Sequence, residues 1–258
     1  MAKQSGLGDA LWISGYDLSG DIQQLNEIQG GASPLDVTGI NKAAMERILG
    51  VRDGKIDATT FFNPTNGIGQ LKSVHERLSL LPTADQIVTY GRGTTLGAPA
   101  ACLVAKQLNY DPKRTAEGEV TFEVSSVANA YGLEWGNQLT AGQRTDTAAT
   151  NGTGVDFGVG SSGTGPSVFG LQAYLHVFAF TGTSVTVKIQ ESSDNGVGDA
   201  WADVTGGSFT AATGITTQRI ETARGQTVER YLRAVTTGTF SNAVFAVVAN
   251  RNDAPTFF

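Results

Sequence analysis

Several groups of residues carry the types and spacings from which a chemical site is built. In SSDNGVGDAWADVTGG, Ser192 to Gly207, three carboxylates (Asp194, Asp199 and Asp203) surround an Asn-Gly pair, as in a calcium loop. An EF-hand needs oxygen ligands at alternate positions and a glutamate at the twelfth. DNGVGDAWADVT lacks that alternation and has Thr205 where the glutamate belongs. A calcium β-roll shares each ion between stacked nonapeptides, and only one imperfect copy is present. The stretch is therefore expected to be a β-hairpin loop, using Asn195-Gly196 because both residues tolerate positive φ.

The remaining groups resolve in the same direction. VTYGRGTTLG sets Gly91, Gly93 and Gly97 after a strand-like run, but the third glycine comes one residue late for a dinucleotide fingerprint and Pro99 follows it. A glycine-rich strand end is expected there. His75 stands beside Glu76 and Arg77 on the polar side of a helical pattern, and His176 alternates within LQAYLHVFAF; neither has the nucleophile-elbow or zinc-helix context of a catalytic histidine. Glu119 and Glu123 share a strand face by period two, as solvated carboxylates do. Cys102, the single cysteine, excludes an intramolecular disulfide and reads as a small buried hydrophobe. Asn151 begins an NGT acceptor sequence, which has meaning only in a secreted chain. Trp12, Trp135 and Trp201 sit in strand-like contexts, where core packing is expected in preference to sugar stacking. No catalytic, cofactor-binding or metal-binding residues are expected, and no cofactor.

The elements that hold these residues are mostly strands. Thirty-three glycines among 258 residues, with 16% charged side chains, favour short strands joined by tight turns, and the length suggests two domains. Two helices are expected in the first half. One covers INKAAMERILG, with Ile40 and Met45 as a staple, Asn41 as cap and Gly50 as terminator. The other covers GIGQLKSVHERLSLLP, where Ile68, Leu71, Val74, Leu78 and Leu81 form one stripe that Pro82 ends. KIDATTFF, QIVTYGRG, CLVAKQLNY and GEVTFEVSSVANA read as strands, with DPKRTAEG as a loop. The fold class is β-dominated (α+β): residues 1–141 form a β-sandwich or barrel with one or two short helices, 142–167 a Gly-rich linker, and 168–258 an all-β sandwich.

The net charge is −6, with 12 basic against 16 acidic residues in 1–150 and 6 against 8 in 151–258. Scattered Lys and Arg on an acidic chain argue against non-specific nucleic-acid binding. The start, MAKQSGLGDALWISG, lacks the apolar run of a secretory signal, and the most apolar stretch, Ala243 to Ala249, is far shorter than a membrane span. A soluble chain made in a cytoplasm is expected.

The segments ALWISGYDLSGDIQQLNEIQGG, LDVTGINKAAMERILGVRDGKIDATTFFNP, LVAKQLNYDPKR, ANAYGLEWGNQLTAGQRTDTAATNGTGVDFG and RYLRAVTTGTFSNAVFAVVANRND, spread along the chain from Ala10 to Asp253, resemble the major tail (tail tube) proteins of long-tailed phages of actinobacteria. That resemblance implies a virion structural subunit, assembled in the host cytoplasm, that forms hexameric rings stacked into the conduit for phage DNA, with other tail proteins as partners and no enzymatic activity. Its second domain resembles the β-sandwich appendages of some phage tails. Tube walls need open strand edges and arms that order on assembly. Residues 21–39, with Leu25, Ile28 and Leu35 among polar and turn residues, are the expected assembly arm. A capsid decoration protein shares this composition, and a carbohydrate-binding module or glycosidase would use the tryptophans; both remain open from sequence.

Overall fold

A computed structural model describes residues 5–66, 72–160, 163 and 165–256. Among these the chain forms fifteen strands: β1 Ala10–Ile13, β2 Tyr16–Asp17, β3 Ile22–Asp36, β4 Arg47–Phe61, β5 Gln86–Gly91, β6 Pro99–Gln107, β7 Asp111–Arg114, β8 Val120–Ala128, β9 Glu134–Gln138, β10 Arg144–Asp146, β11 Val155–Asp156, β12 Leu171–Ser192, β13 Ala202–Ser208, β14 Thr216–Glu221 and β15 Tyr231–Arg251. One helix, α1 Val74–Leu78, lies between β4 and β5. All pairings between these strands are antiparallel, and hydrogen bonding connects them into one curled sheet, so the chain is β-dominated as expected.

Two main cores lie within that sheet. In the first half the strands run β2-β1-β5-β6-β8-β4-β3, and curling places Leu11, Ile13, Ile56, Val88, Leu103 and Val124 in a common interior. In the second half β12 and β15 form a ribbon of 22 and 21 residues, paired from Leu171↔Arg251 to Ser192↔Tyr231. The ribbon folds on itself at register shifts between Val177 and Ser184, so Leu171, Leu175 and Val177 share a core with Val185, Val187 and Ile189. Two glycines permit the fold. Gly182 has φ +153°, and a Cβ there would lie 2.4 Å from Phe240 Cα; Gly238 has φ +125°, and its Cβ would lie 2.3 Å from the Ser184 carbonyl oxygen. The sequence segments LQAYLHVFAF and SVTVKIQES are thus one strand bent at a bulge, as are ERYLRAVTTG and AVFAVVANR.

The opposite face of early β12 is buried as well. Tyr174 packs with Ile87, Ala100, Cys102 and Val104 of β5 and β6, while Phe178 packs with Ala10 and Trp12 of β1. A strand covered on both faces has no polar face to show, which explains the near-continuous apolar reading of LQAYLHVF.

Four expectations are corrected. The helix over INKAAMERILG is absent: Arg47 onward is strand, paired with β3 from Asp36↔Arg47, and the residues between form the end of a hairpin. There Val37 N–H donates to Glu46 O at 3.0 Å, Glu46 N–H donates to Thr38 Oγ1 at 2.8 Å, and Lys42 pairs with Glu46. A helix of that length with no face to bury is marginal, and strand pairing outweighs its propensity. The second helix shrinks to Val74–Leu78, started by a capping box between Ser73 and Glu76; positions 67–71, Ile68 and Leu71 among them, lie outside the described residues. DPKRTAEG is not all loop, since Asp111–Arg114 pairs with β8.

The Gly-rich stretch 142–167 is not a free tether over its described residues. β10 and β11 pair with β15, Gly152 N–H and the Arg144 guanidinium both donate to Ala234 O, and Thr150 N–H donates to Thr236 Oγ1. Buried Arg251 donates to the carbonyls of Phe157, Gly158 and Gly165. Small residues are what such close backbone approach requires: a Cβ on Gly152 would lie 2.4 Å from Ala234 O. Limited proteolysis should accordingly nick the exposed turn 37–46 first and spare 142–160. First cleavage within 142–160 would contradict this account of the segment.

Candidate functional site

The side chains with chemical potential sit mainly in the seam between the halves. His176 on β12 forms a three-ring cluster with Trp12 (centroids 5.9 Å) and Phe178 (5.9 Å), which also meet each other at 5.7 Å. Its Nδ1 accepts from Gly15 N–H at 3.4 Å, so Nε2 carries the proton and donates to Thr89 Oγ1 at 2.9 Å; that hydroxyl in turn donates to Cys102 Sγ at 3.4 Å. Burial pushes the imidazole down to about 3 and the thiol up to about 12, leaving both neutral at pH 7. An imidazole and a thiol near one another invite the idea of a dyad. Here a threonine hydroxyl separates them, both are protected from solvent, and the arrangement joins β12 to β5 and β6.

A second cluster crosses the same seam. Arg219 of β14 donates to Glu134 of β9 at 2.9 Å, with both side chains almost wholly buried, and its guanidinium lies 3.7 Å from the centre of the Tyr131 ring. Tyr174 O–H donates to Glu134 Oε2 at 2.5 Å. Burial disfavours the Arg219 charge, but the hydrogen bond to Glu134 and the charge of that carboxylate outweigh it and hold the guanidinium more firmly protonated than a free arginine. Burial, then the Glu134 charge, pushes the Tyr174 phenol well above its usual range. Neither tyrosine nor arginine could be paired with Glu134 from sequence, because the partners are 40 and 85 residues away.

Other sequence candidates have local structural work. Asn195 (φ 65°) and Gly196 (φ 80°) make the tight turn after β12, and the Asp194 carboxylate accepts from the backbone N–H groups of Val197, Gly198 and Asp199. Asp199 accepts from Ser193 N–H, and Asp203 pairs with Lys188 on the strand. Gly93 and Gly97 take positive φ in the β5–β6 hairpin connection that follows Gly91. Asn151 bridges to Val235. His75 packs among Phe62, Tyr110 and Phe122. Glu123 pairs with Lys113 while Glu119 accepts from Gln23, so the two carboxylates serve different neighbours. Of the tryptophans only Trp12 is core; Trp201 is half-buried under the Arg233 guanidinium (4.4 Å), and Trp135 is 50% exposed on β9, between buried Glu134 and half-buried Gly136.

Among the described residues the hairpin β3–β4 carries a run of exposed apolar side chains. Leu25 and Ile28 lean on the first core, so this part of the expected arm is held by its own half, whereas Leu35 is exposed. Beyond Leu35 the exposed apolar residues continue through Val37, Ile40, Met45, Ile48, Leu49 and Val51, with Ile40 fully exposed and Leu49 78% exposed. β3 pairs with β4 alone among the described strands, leaving its outer edge open for fifteen residues. The sequence signal was present as apolar residues on both sides of a turn, but the Ala-Ala-Met-Glu-Arg run led to a helix.

No family model and no curated protein match this chain. Among solved structures, it is similar to a chain of the virion of a native gene transfer agent particle at 16% identity, covering 50% of this chain and 97% of that one, with a TM-score of 0.39. It is similar to the Dit (gp 19.1) protein of SPP1, described as a hub of the adsorption apparatus in phages infecting Gram-positive hosts, at 12% identity, 94% and 98% coverage and a TM-score of 0.33. It is also similar to a chain of the phage P2 baseplate in its activated, calcium-bound form at 11% identity, 95% and 99% coverage and a TM-score of 0.30.

Two measurements test the seam. The His176 pKa is lowered on folding, so the unfolded chain binds the extra proton between about pH 6.5 and 3. The contribution of His176 is therefore complete above pH 6.5 and is lost as pH falls, at up to about 1.4 kcal/mol per pH unit. His176→Gln should remove that component, so the stability gap between parent and variant narrows by roughly 2–3 kcal/mol from pH 6.5 to pH 4 in urea titrations; a constant gap would contradict the neutral buried imidazole. Arg219→Met strands a buried Glu134 charge and should cost about 3–5 kcal/mol at pH 7. A loss below about 1 kcal/mol would show that the pair is solvated.

Proposed function

We propose that this chain is a phage virion structural protein, a tail tube subunit that polymerises into stacked hexameric rings around a DNA conduit. The observation that carries this reading is the β3–β4 hairpin: a fifteen-residue open strand edge ending in a cluster of exposed Leu, Val, Ile and Met side chains. Native chains avoid leaving such an edge and such a patch uncovered unless another chain covers them. The resemblance of its sequence segments to the major tail proteins of actinobacteriophages supplies the kind of assembly. Other tail proteins are its partners at the ends of the tube, and the virion tail is its location after assembly in the host cytoplasm.

On this reading residues 21–39 belong to the assembly arm. Its working part is the far end, Leu35 onward, because Leu25 and Ile28 are committed to their own core. The first half, residues 1–141, builds the wall and the second, 168–258, lies outside it. Four lysines of the first half are tied to carboxylates (Lys42–Glu46, Lys55–Glu27, Lys106–Asp85 and Lys113–Glu123), which leaves the surplus charge acidic. An acidic bore repels DNA phosphates and lets the genome slide, where a basic one would bind it through counterion release. The protein then works with no catalytic step, cofactor or metal.

Negative-stain microscopy of concentrated protein should show hollow rods, and Ile40→Asp together with Leu49→Asp should give a folded protein that forms none, since each change places a charge in an apolar contact. A parent protein that stays dispersed at every concentration, or a double variant that makes normal rods, would contradict the proposal.

A further inference from the structure

β4 loses its second neighbour halfway along. β8 pairs with it from Phe61↔Thr121 to Lys55↔Val127, whereas β3 follows it on to Asp36↔Arg47. From Gly54 outward the hairpin is a two-stranded ribbon, and a lone pair of strands is marginal in water. The connection from β8 to β9 meets it at that point. Leu133 lies against the rung where Gly30 faces Gly54: a Cβ on Gly30 would come within 2.6 Å of Leu133 Cβ, and one on Gly54 within 2.7 Å of the Leu133 nitrogen. Arg52 Nη2 donates to Leu133 O at 3.1 Å, Leu133 N–H donates to Asp53 O at 3.4 Å, and a Cβ on Gly132 would lie 2.9 Å from Arg52 Cβ. Only residues without a Cβ allow backbones so close.

The seam holds the other side of the same connection. The Arg219 guanidinium covers the Tyr131 ring, which also packs beside Tyr174 and its neighbours, and Arg219 is itself fixed by buried Glu134. Asn129 N–H donates to Val104 O at 2.9 Å and its side chain donates to Asp85 at 2.9 Å. Between these anchors Ala130 is held at φ +67°. That conformation is unfavourable for a residue with a Cβ and persists where the surroundings over-determine it.

We infer that residues 129–133 are a brace through which the seam sets the direction of the outer hairpin, residues 31–53. The inference rests on the tube reading above for its purpose: a hairpin that seats on another chain must arrive in one direction, and direction left free in the subunit has to be fixed on assembly, at a cost in affinity. Tyr131 is then a positioning residue for the hairpin end, acting through Gly132 and Leu133.

Spin labels on Ile48→Cys and Val197→Cys report that direction by double electron–electron resonance in dilute protein; both positions are exposed and native Cys102 is buried. The doubly labelled chain should give one narrow distance distribution. Tyr131→Ala should broaden it, and Tyr131→Phe, which keeps a ring under Arg219, should leave it narrow. Gly132→Ala leaves the seam untouched and should shift the mean, because its methyl displaces Arg52. Thermal melting close to that of the parent would establish that each variant is folded. A distribution as narrow in folded Tyr131→Ala as in the parent, or an unmoved mean in Gly132→Ala, would overturn the brace. In rod assays Tyr131→Ala should need roughly tenfold more protein than the parent. Rods at the parent's own concentration would overturn the part of the brace in assembly. A broadened distribution in Tyr131→Ala beside a parent that forms no rods would uphold the brace and remove the tube reading.

Discussion

The folded ribbon of β12 and β15 is the constraint on which the rest of the structure depends. Its first half is covered on both faces: Leu171, Ala173, Leu175 and Val177 enter one core, while Tyr174, His176 and Phe178 enter the seam against β1, β5 and β6. A strand buried on both sides cannot be released by one half of the chain without exposing the other. The seam is therefore a part of the core with polar groups in it, and its imidazole and its carboxylate find partners there: Thr89 and Gly15 for His176, Arg219 and Tyr174 for Glu134. The cost of leaving any of them unpaired is what fixes how the halves meet.

Rigidity there has a consequence at the far side of the first half. The β3–β4 hairpin is anchored at its base by Leu25, Ile28 and Ile56 in the first core, while Leu35, Ile40, Met45 and Leu49 toward its end are exposed. A stiff base and an uncovered apolar end suit an element meant to meet another molecule in a fixed direction. Exposed strand edge and exposed apolar side chains coincide on one hairpin, and that coincidence distinguishes it from the scattered exposed leucines that any soluble protein carries.

Much of this was legible in the residues. Period-two runs marked the strands, the small buried cysteine and the turn at Asn195-Gly196 followed from their neighbours, and Trp12 was expected in the core. What failed did so for physical reasons. Ala43 to Arg47 has helical propensity, but pairing of Arg47 with Asp36 across the hairpin is a tertiary fact that local sequence does not contain. The glycines of 142–167 resemble a linker because the same residue serves both flexibility and close backbone approach, and only the contacts to Ala234 and Arg251 tell the two apart. Trp135 was expected in the core since strand context alone does not reveal which face of β9 meets solvent. The Glu134–Arg219 pair required knowing that β9 and β14 meet across the seam.

Amide hydrogen exchange over residues 22–51, compared between dilute and concentrated protein, probes the claim that this hairpin is completed by another chain. Pairing of the open β3 edge and cover over the 37–46 turn should slow exchange there on concentration by at least tenfold, about 1.4 kcal/mol of protection, while amides of the β12–β15 ribbon stay as they were. Identical exchange in the hairpin at both concentrations, with or without a change elsewhere, would contradict the account.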